Sequence, residues 1–321
     1  MAGLQPDVGD VHVDKLLTTI SWGYKNLSYI ADQIFPTIFV DKQSDIIPKY
    51  TKSYWFRDEA KERAPGTKGA RSGYAVDNTN TYFCIGFALG KEIPDEVRLN
   101  TDVPYDMDRD ATNWVTDMLM RRREVSFAAD FMKTSVWTTD VVGGTNFTKW
   151  SDYGTSDPIG DIRTGMRSVR QKIGMRPNSL IMGEIIWNRL QDHPDFVDRV
   201  KYTQLGVITR DLVAGVLELT RLLVGEAIYT TSLEGTAEAS VSYTDIVDDD
   251  ALLIYTPASP GLFIPSGGYT FIWRPAIGAG TQFIRRIRKE EEKCDVIEGM
   301  SYYDQKALAT DAGYFFSDAV D

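Results

Sequence analysis

The sequence predicts an α+β protein, and three patterns carry that reading. Thr81, Phe83, Ile85, Phe87 and Leu89 alternate strictly, as on one face of a strand. Residues 102–134 keep a helical period throughout. Across 157–230, short apolar runs alternate with capped helical segments. The chain has 321 residues, 43% hydrophobic and 25% charged, enough for a sizeable core in one large or two interleaved domains. That composition excludes a disordered or low-complexity chain. The net charge of −11 argues against gripping nucleic acid, because Lys and Arg must replace the phosphate counterions.

Taken in order, residues 1–45 read as an extended arm. A short helix is expected near Lys15 to Ile30, and Ile34, Phe35, Ile38, Phe39 and Val40 form an anchoring patch around Pro36. Residues 46–91 read as a two-stranded finger. The outgoing strand covers about Ile47–Phe56 and the alternating run above returns. Between them, Ala64 to Gly73 holds three glycines and a proline, a mobile tip. Over 47–73, seven cations (Lys49, Lys52, Arg57, Lys61, Arg63, Lys68, Arg71) stand against Asp58, Glu59 and Glu62. That surplus of four leaves −15 for the rest of the chain. A basic finger on an acidic body suits either an acidic neighbour or plain solvation.

The long helix over 102–134 is expected to start at an Asp102 cap with Pro104 in its first turn. Asp106, Asp108 and Asp110 complement its dipole. Trp114, Val115, Met118, Val125, Ala129 and Met132 form a stripe broken at Arg122, with Met120, Phe127 and Phe131 on a second face. Such a helix lies across a sheet or domain. Arg121, Arg122 and Arg123 are read as pairing with acidic neighbours rather than phosphate. Asp157-Pro158 opens the next helix and Gly174 closes it. Ser179–Met182 is a buried strand, His193-Pro194 breaks a helix, Thr209 caps another, and 222–229 is a strand. Ala251 to Trp273 is uncharged, yet Pro257, Pro260 and Pro265 exclude a membrane-spanning helix and favour two buried strands. Strands return over 280–303, where Arg285, Arg286, Arg288 and Lys289 precede Glu290, Glu291 and Glu292 in a solvated or interface strand.

No catalytic constellation is visible. The two histidines, His12 and His193, lack HxxxH or HExxH spacing, and both are read as structural. There is no GxSxG elbow and no phosphate-binding GxxxxGK[ST]. Gly278-Ala279-Gly280 lacks the third glycine of a dinucleotide loop. Asp248-Asp249-Asp250 lacks the glycine and glutamate of a calcium loop. Cys84 and Cys294 form no CxxC and are expected as free thiols in a reducing compartment. No cofactor and no metal are expected, and the chain is not read as an enzyme. An acid-catalysed hydrolase with unmarked carboxylates is the distant alternative.

An arm, a long finger, one long helix, an α/β region and returning strands resemble the major capsid proteins of tailed bacteriophages, the Hong Kong 97-like fold. The likeness sits in IPDEVRLNTDVPYDMDRDATNWVTDMLMRRRE (93–124), in RPNSLIMGEIIWNRLQDHPDFVDRVKYTQLGVITRDLVAGVLELTRLLVGEAIY (176–229) and in DDDALLIYTPASPGLFIPSGGYTFIWRP (248–275). It implies an N-terminal arm (1–45), an E-loop hairpin (46–91), a peripheral domain (92–155 and 275–321) with its spine helix at 102–134, and an axial domain (156–274).

The resemblance further implies self-assembly of hexamers and pentamers into an icosahedral head shell. That shell encloses double-stranded DNA without binding it specifically, is built in the host cytoplasm and involves no membrane. Expected partners are a scaffolding protein, a cement protein and a portal. With the chain beginning at Met1 and its hairpin near 46, no built-in scaffolding segment is expected, so either a separate scaffolding protein exists or assembly needs none. An encapsulin-like nanocompartment shell is the alternative on the same fold. Lys61, Arg63, Lys68 and Arg71 are the expected contacts of the finger with a neighbouring subunit. Some members weld subunits through an E-loop lysine and a late asparagine. Here no asparagine follows Asn188, so a non-covalent shell is expected.

Overall fold

The computed structural model describes residues 29–99, 106–200, 208–233, 235–261, 264–278 and 280–321. The expected Lys15 to Ile30 helix falls almost wholly outside them, as do Asp102 and Pro104. Along the chain come α1 (Ala31–Ile34), β1 (Thr37–Val40), β2 (Ser44–Ile46), β3 (Lys49–Tyr50), α2 (Lys52–Trp55), β4 (Val76–Asp77) and β5 (Thr81–Phe83). Then follow β6 (Ile85–Pro94), α3 (Asp95–Leu99), the long helix α4 (Met107–Phe131) and β7 (Asp140–Val142). The α/β region runs α5 (Pro158–Ile173), β8 (Ser179–Gly183), α6 (Glu184–Gln191), α7 (Pro194–Val200), α8 (Arg210–Val216) and β9 (Arg221–Gly225). The short pair β10 (Ile228–Tyr229) and β11 (Thr244–Asp245) brackets the acidic loop. The chain closes with β12 (Ala251–Ile254), β13 (Gly268–Trp273), α9 (Arg274–Ile277), β14 (Phe283–Lys289), β15 (Cys294–Ala307) and β16 (Gly313–Ser317).

Two sheets carry the molecule. In the first, β15 is central: β6 lies antiparallel along one side, β14 and then β13 along the other, and β1 adds to β13 in parallel. The second is mixed, in the order β7-β16-β12-β8-β9. β8 and β12 are buried throughout, as their unbroken apolar sequences require. Leu180 and Met182 of β8 face α5 and α6 among Ile159, Ile162 and Met166. Ile181, one residue off that period, faces the other way onto Phe127 and Phe131 of α4.

That alternation shows what α4 does. Its first half lies on the first sheet, with Ala111, Val115 and Leu119 against Ile284 and Ile297. Its second half lies on the back of the second sheet. One 25-residue helix therefore fixes the two sheets to each other.

Several expectations need correction. The cap of α4 is Asp106, which accepts from the amides of Asp108 and Arg109. The buried seam runs Ala111, Val115, Leu119, Arg123, Phe127 and Phe131, so it passes through Arg123 and Glu124, while Trp114 and Ala129 are exposed. Thr112 and Thr116 enter the seam because their hydroxyls donate to the carbonyls of Asp108 (2.7 Å) and Thr112 (2.8 Å). The outgoing finger strand is not continuous: Pro48 separates β2 from β3, and α2 makes a helical turn at Lys52–Trp55. The returning run buries its other face, with Tyr82 stacked on Phe271 at 4.7 Å and Cys84 fully covered, while Phe83 and Ile85 are about half exposed.

The caps at Asp157, Gly174 and Thr209 stand where the sequence places them, because each is a local hydrogen bond or a left-handed residue. The two strands of the uncharged stretch do form, but β12 and β13 join different sheets. Sheet membership also crosses the expected boundary at 274. β13, ahead of it, pairs in the first sheet, and β16, far beyond it, pairs in the second beside β7.

Candidate functional site

The polar clusters that invite a catalytic reading are occupied structurally. His193 is fully buried; its Nδ1 accepts from the Asp195 amide (3.2 Å) and its Nε2 faces Ser156 Oγ (2.9 Å). That pattern fixes the neutral tautomer with the proton on Nε2, and burial lowers the imidazole pKa. His12 lies outside the described residues. Asp250 accepts from the Asp318 amide (3.1 Å), and burial pushes its carboxyl up to about 6. Asp249 takes the Ala319 amide on its carbonyl (2.9 Å), so this acidic run holds the end of the chain against β12.

The Arg/Lys run of β14 pairs with acids from β6, α3, α4 and β15. Asp295 sits beneath Arg98 (2.6 Å), Arg288 (3.4 Å) and Arg286 (3.7 Å), and Asp108 takes Arg98 and Arg286. Asp295 is buried, and burial, the largest influence on it, works against its charge. Arg98 and its fellow cations outweigh that and hold its carboxyl below the usual range. Among the described residues, Glu92, Glu292 and Cys294 bring ligand atoms within 4.8 Å of one another. The Lys289 ammonium already sits on both carboxylates, at 2.5 and 3.0 Å, so this group is an ion-pair cluster. Among the described residues no helix is long and apolar enough to cross a membrane.

The finger is the open part of the molecule. Lys61, Arg63, Lys68 and Arg71 all lie on its irregular tip, and all are exposed. Arg63 Nε donates to the Thr67 carbonyl (2.6 Å), closing a turn in which Gly66 is left-handed at φ 79°. Lys61, Lys68 and Arg71 make no ion pair among the described residues. The lower finger is tied to its own subunit: Lys52 pairs with Asp311 (2.8 Å) and Lys49 donates to the Leu308 carbonyl (3.0 Å).

Sequence reasoning missed what lies between. Tyr50, Trp55 and Tyr74 meet with ring centroids 5.5 to 6.2 Å apart, beside the exposed Tyr54, Phe56 and Val76. The density of aromatic residues over 50–56 was the available signal. A second bare apolar strip is formed by Ile46, Phe83 and Ile85 on β2, β5 and β6.

The first described residues, Tyr29 to Asp32, make polar contacts with α4. Arg121 Nη2 reaches Asp117 (2.7 Å), and Tyr29 donates to Asp117 (3.0 Å). Arg123, buried, pairs with Asp32, donates to Ser301 (3.2 Å) and covers the Tyr303 ring at 4.4 Å. Glu124, fully buried, accepts from the amides of Ile30 (3.0 Å) and Ala31 (2.7 Å) at the start of α1. Arg122, exposed, lies over Phe87 at 5.6 Å. The expectation that the arginine run pairs within the protein is met at Arg121 and Arg123.

No model of a known protein family matches the chain. The chain is 28% identical over 317 residues, covering 95% of it and 96% of the relative, to a major capsid protein of Burkholderia phage BcepMu. The crystal structure of a phage-related protein from Bordetella bronchiseptica superposes with a TM-score of 0.73 at 23% identity, over 96% of this chain and 98% of that one. The mature capsid of bacteriophage PhiM1 gives 0.57 at 11% identity, over 98% and 92%. An encapsulin from Synechococcus elongatus gives 0.53 at 10% identity, over 90% and 86%.

Proposed function

We propose that this chain, which has the Hong Kong 97-like fold, is a major capsid protein that builds the head shell of a phage. The observation that carries the reading is the end-to-end likeness to the BcepMu capsid protein, joined to a finger that one subunit cannot bury. Copies of the chain complete one another's surfaces, as closed symmetric assemblies require. The role is structural rather than catalytic, in keeping with polar clusters that are taken up by caps and ion pairs.

In this reading residues 1–45 are the arm, 46–91 the E-loop, 92–155 with 275–321 the peripheral domain around α4, and 156–274 the axial domain. β13 and β16 are exchanged between the two domains' sheets. Lys61, Arg63, Lys68 and Arg71 meet acidic surface on a neighbouring subunit, and the aromatic base of the finger supplies the apolar part of that contact. Scaffolding protein, cement protein and portal are the further partners. Assembly takes place in the host cytoplasm and gives an acidic shell that DNA is driven into and that encloses it without gripping it.

Electron microscopy of cells expressing the full chain tests this. Closed icosahedral particles are expected, and a chain that stays monomeric with every candidate scaffolding protein of its gene neighbourhood refutes it. A neighbourhood with terminase and portal genes favours the phage head, and an adjacent cargo enzyme favours the encapsulin-type shell.

A further inference from the structure

The Glu124 carboxylate is fully buried in the second half of α4. It reaches out of its own helix to the free amides at the start of another, α1, from a segment 93 residues away. It thereby holds Ile30 and Ala31, next to Tyr29, the first of the described residues. Ile34 and Phe35, which follow, are buried against Phe127 and Phe131, and β1 is then locked into the first sheet beside β13. Tyr29, Ile30 and Ala31 are buried as well, Ile30 and Ala31 in the cluster that holds Phe127 and Val247 and Tyr29 against Ala227 and Ile246, and Glu124 adds the bonds to the amides of Ile30 and Ala31.

We propose that Glu124 is a proton-operated clasp that holds the arm root, Tyr29–Ala31, on α4 and loosens when its proton leaves. Two facts about the site set the direction. The carboxyl is removed from water, which penalises its charged form, and the like charge of Asp32 on α1 acts on it in the same direction. The two amide bonds favour the charged form but do not outweigh burial, and the carboxyl is raised from 4.5 to about 7.

The other charged groups around the root are engaged. Arg123 is taken by Asp32, and Arg121 with Asp117 holds the Tyr29 hydroxyl. From β9, Arg221 donates to the Gln33 carbonyl (2.6 Å), and from β15 the Tyr303 ring lies under Arg123. When the root opens, Glu124 meets water and regains an ordinary carboxyl pKa. The closed form thus binds the proton more tightly, and closure weakens as pH rises through the interval between the two values.

Hydrogen exchange of the full-length chain, read on peptides covering residues 29–35 between pH 5 and 8 and corrected for intrinsic rates, measures the opening directly. A carboxyl at 4.5 open and about 7 closed predicts that protection at Ile30 and Ala31 falls about 70-fold over that range. Glu124→Gln keeps the shape without the titration and should give protection that does not vary with pH. Asp32→Asn removes the like charge and should move the midpoint down, which keeps the test decisive if the glutamine variant fails to fold. Wild-type protection independent of pH, a slope that persists in Glu124→Gln, or a midpoint unmoved in Asp32→Asn would overturn the clasp. The measurement concerns contacts within one chain, so its outcome is separate from whether the chain builds a shell.

Discussion

Gly299 is where α4 and the first sheet come closest, and adding one methyl group there tests how the helix is seated. A Cβ on Gly299 would lie 2.4 Å from Val115 Cγ1, 3.0 Å from Leu119 Cδ1 and 3.1 Å from Ile284 Cδ1. Apolar carbons rest about 3.5–4.0 Å apart, so the helix or the strand must retreat by about 1 Å. Val115 cannot turn aside, because a β-branched side chain in a helix has essentially one rotamer. Overpacking of this kind costs roughly 1–3 kcal/mol. The alanine recovers about 0.5 kcal/mol by restricting the unfolded chain. Gly299→Ala should therefore destabilise by about 0.5–2.5 kcal/mol, a fall in Tm of roughly 1–4 °C in a chain of this size. Val115→Ala removes the clashing methyl groups. In a thermal-denaturation cycle at fixed protein concentration, the double variant should lose at least about 1 kcal/mol less than the sum of the single ones. A neutral Gly299→Ala, or simple additivity with Val115→Ala, would refute the packing of α4 on β15 described here.

Charge reversal at Lys61, Arg63, Lys68 and Arg71 together should leave the far-UV spectrum and Tm of the unassembled chain unchanged while reducing particle yield in sedimentation. Single reversals should do little, since exposed pairs contribute roughly 0–1 kcal/mol each. His193 is held neutral with its pKa below 6.5, so its contribution to stability is present above that value and lost as pH falls below it. His193→Gln should remove that component from the Tm measured between pH 5 and 8. Cys84 and Cys294 are both buried free thiols, and burial pushes Cys84 up to about 12, so non-reducing gels of particles should show no disulfide ladder. Boiled, reduced particles should run as one band near 36.1 kDa. The late strands offer no asparagine, and Asp295 is buried under arginines; linked peptides joining Lys61 or Lys68 to β15 would contradict this.

Local features were legible in the sequence and non-local ones were not. Asp157, Gly174 and Thr209 act on their own turn of helix, so their residue types suffice to place them. The seam of α4 was misplaced because Arg123 and Glu124 are buried by partners more than 90 residues away, and a hydropathy pattern counts them as surface. Sheet membership of β13 and β16 depends on pairings with Tyr303 and Leu252 that no local pattern encodes.

The finger shows the same limit in a more useful form. Alternation through Thr81, Phe83, Ile85, Phe87 and Leu89 is real, and it says that these residues share a face. It does not say what covers that face. Phe87 is covered within the subunit, by Tyr303 at 5.0 Å and by Arg122 above it. Further out along the same face Phe83 and Ile85 are bare, and Ile46 beside them is bare as well. A face that begins under α4 and continues past its cover is apolar for longer than one subunit has use for. The polar face of the same strand would be the one exposed if solvent were its only neighbour. On the proposed reading, the excess of apolar residues on β5 and on the start of β6 is surface that a neighbouring copy covers. Polar substitution at Phe83 and Ile85 should accordingly spare the folded subunit, where neither is buried, and act on assembly.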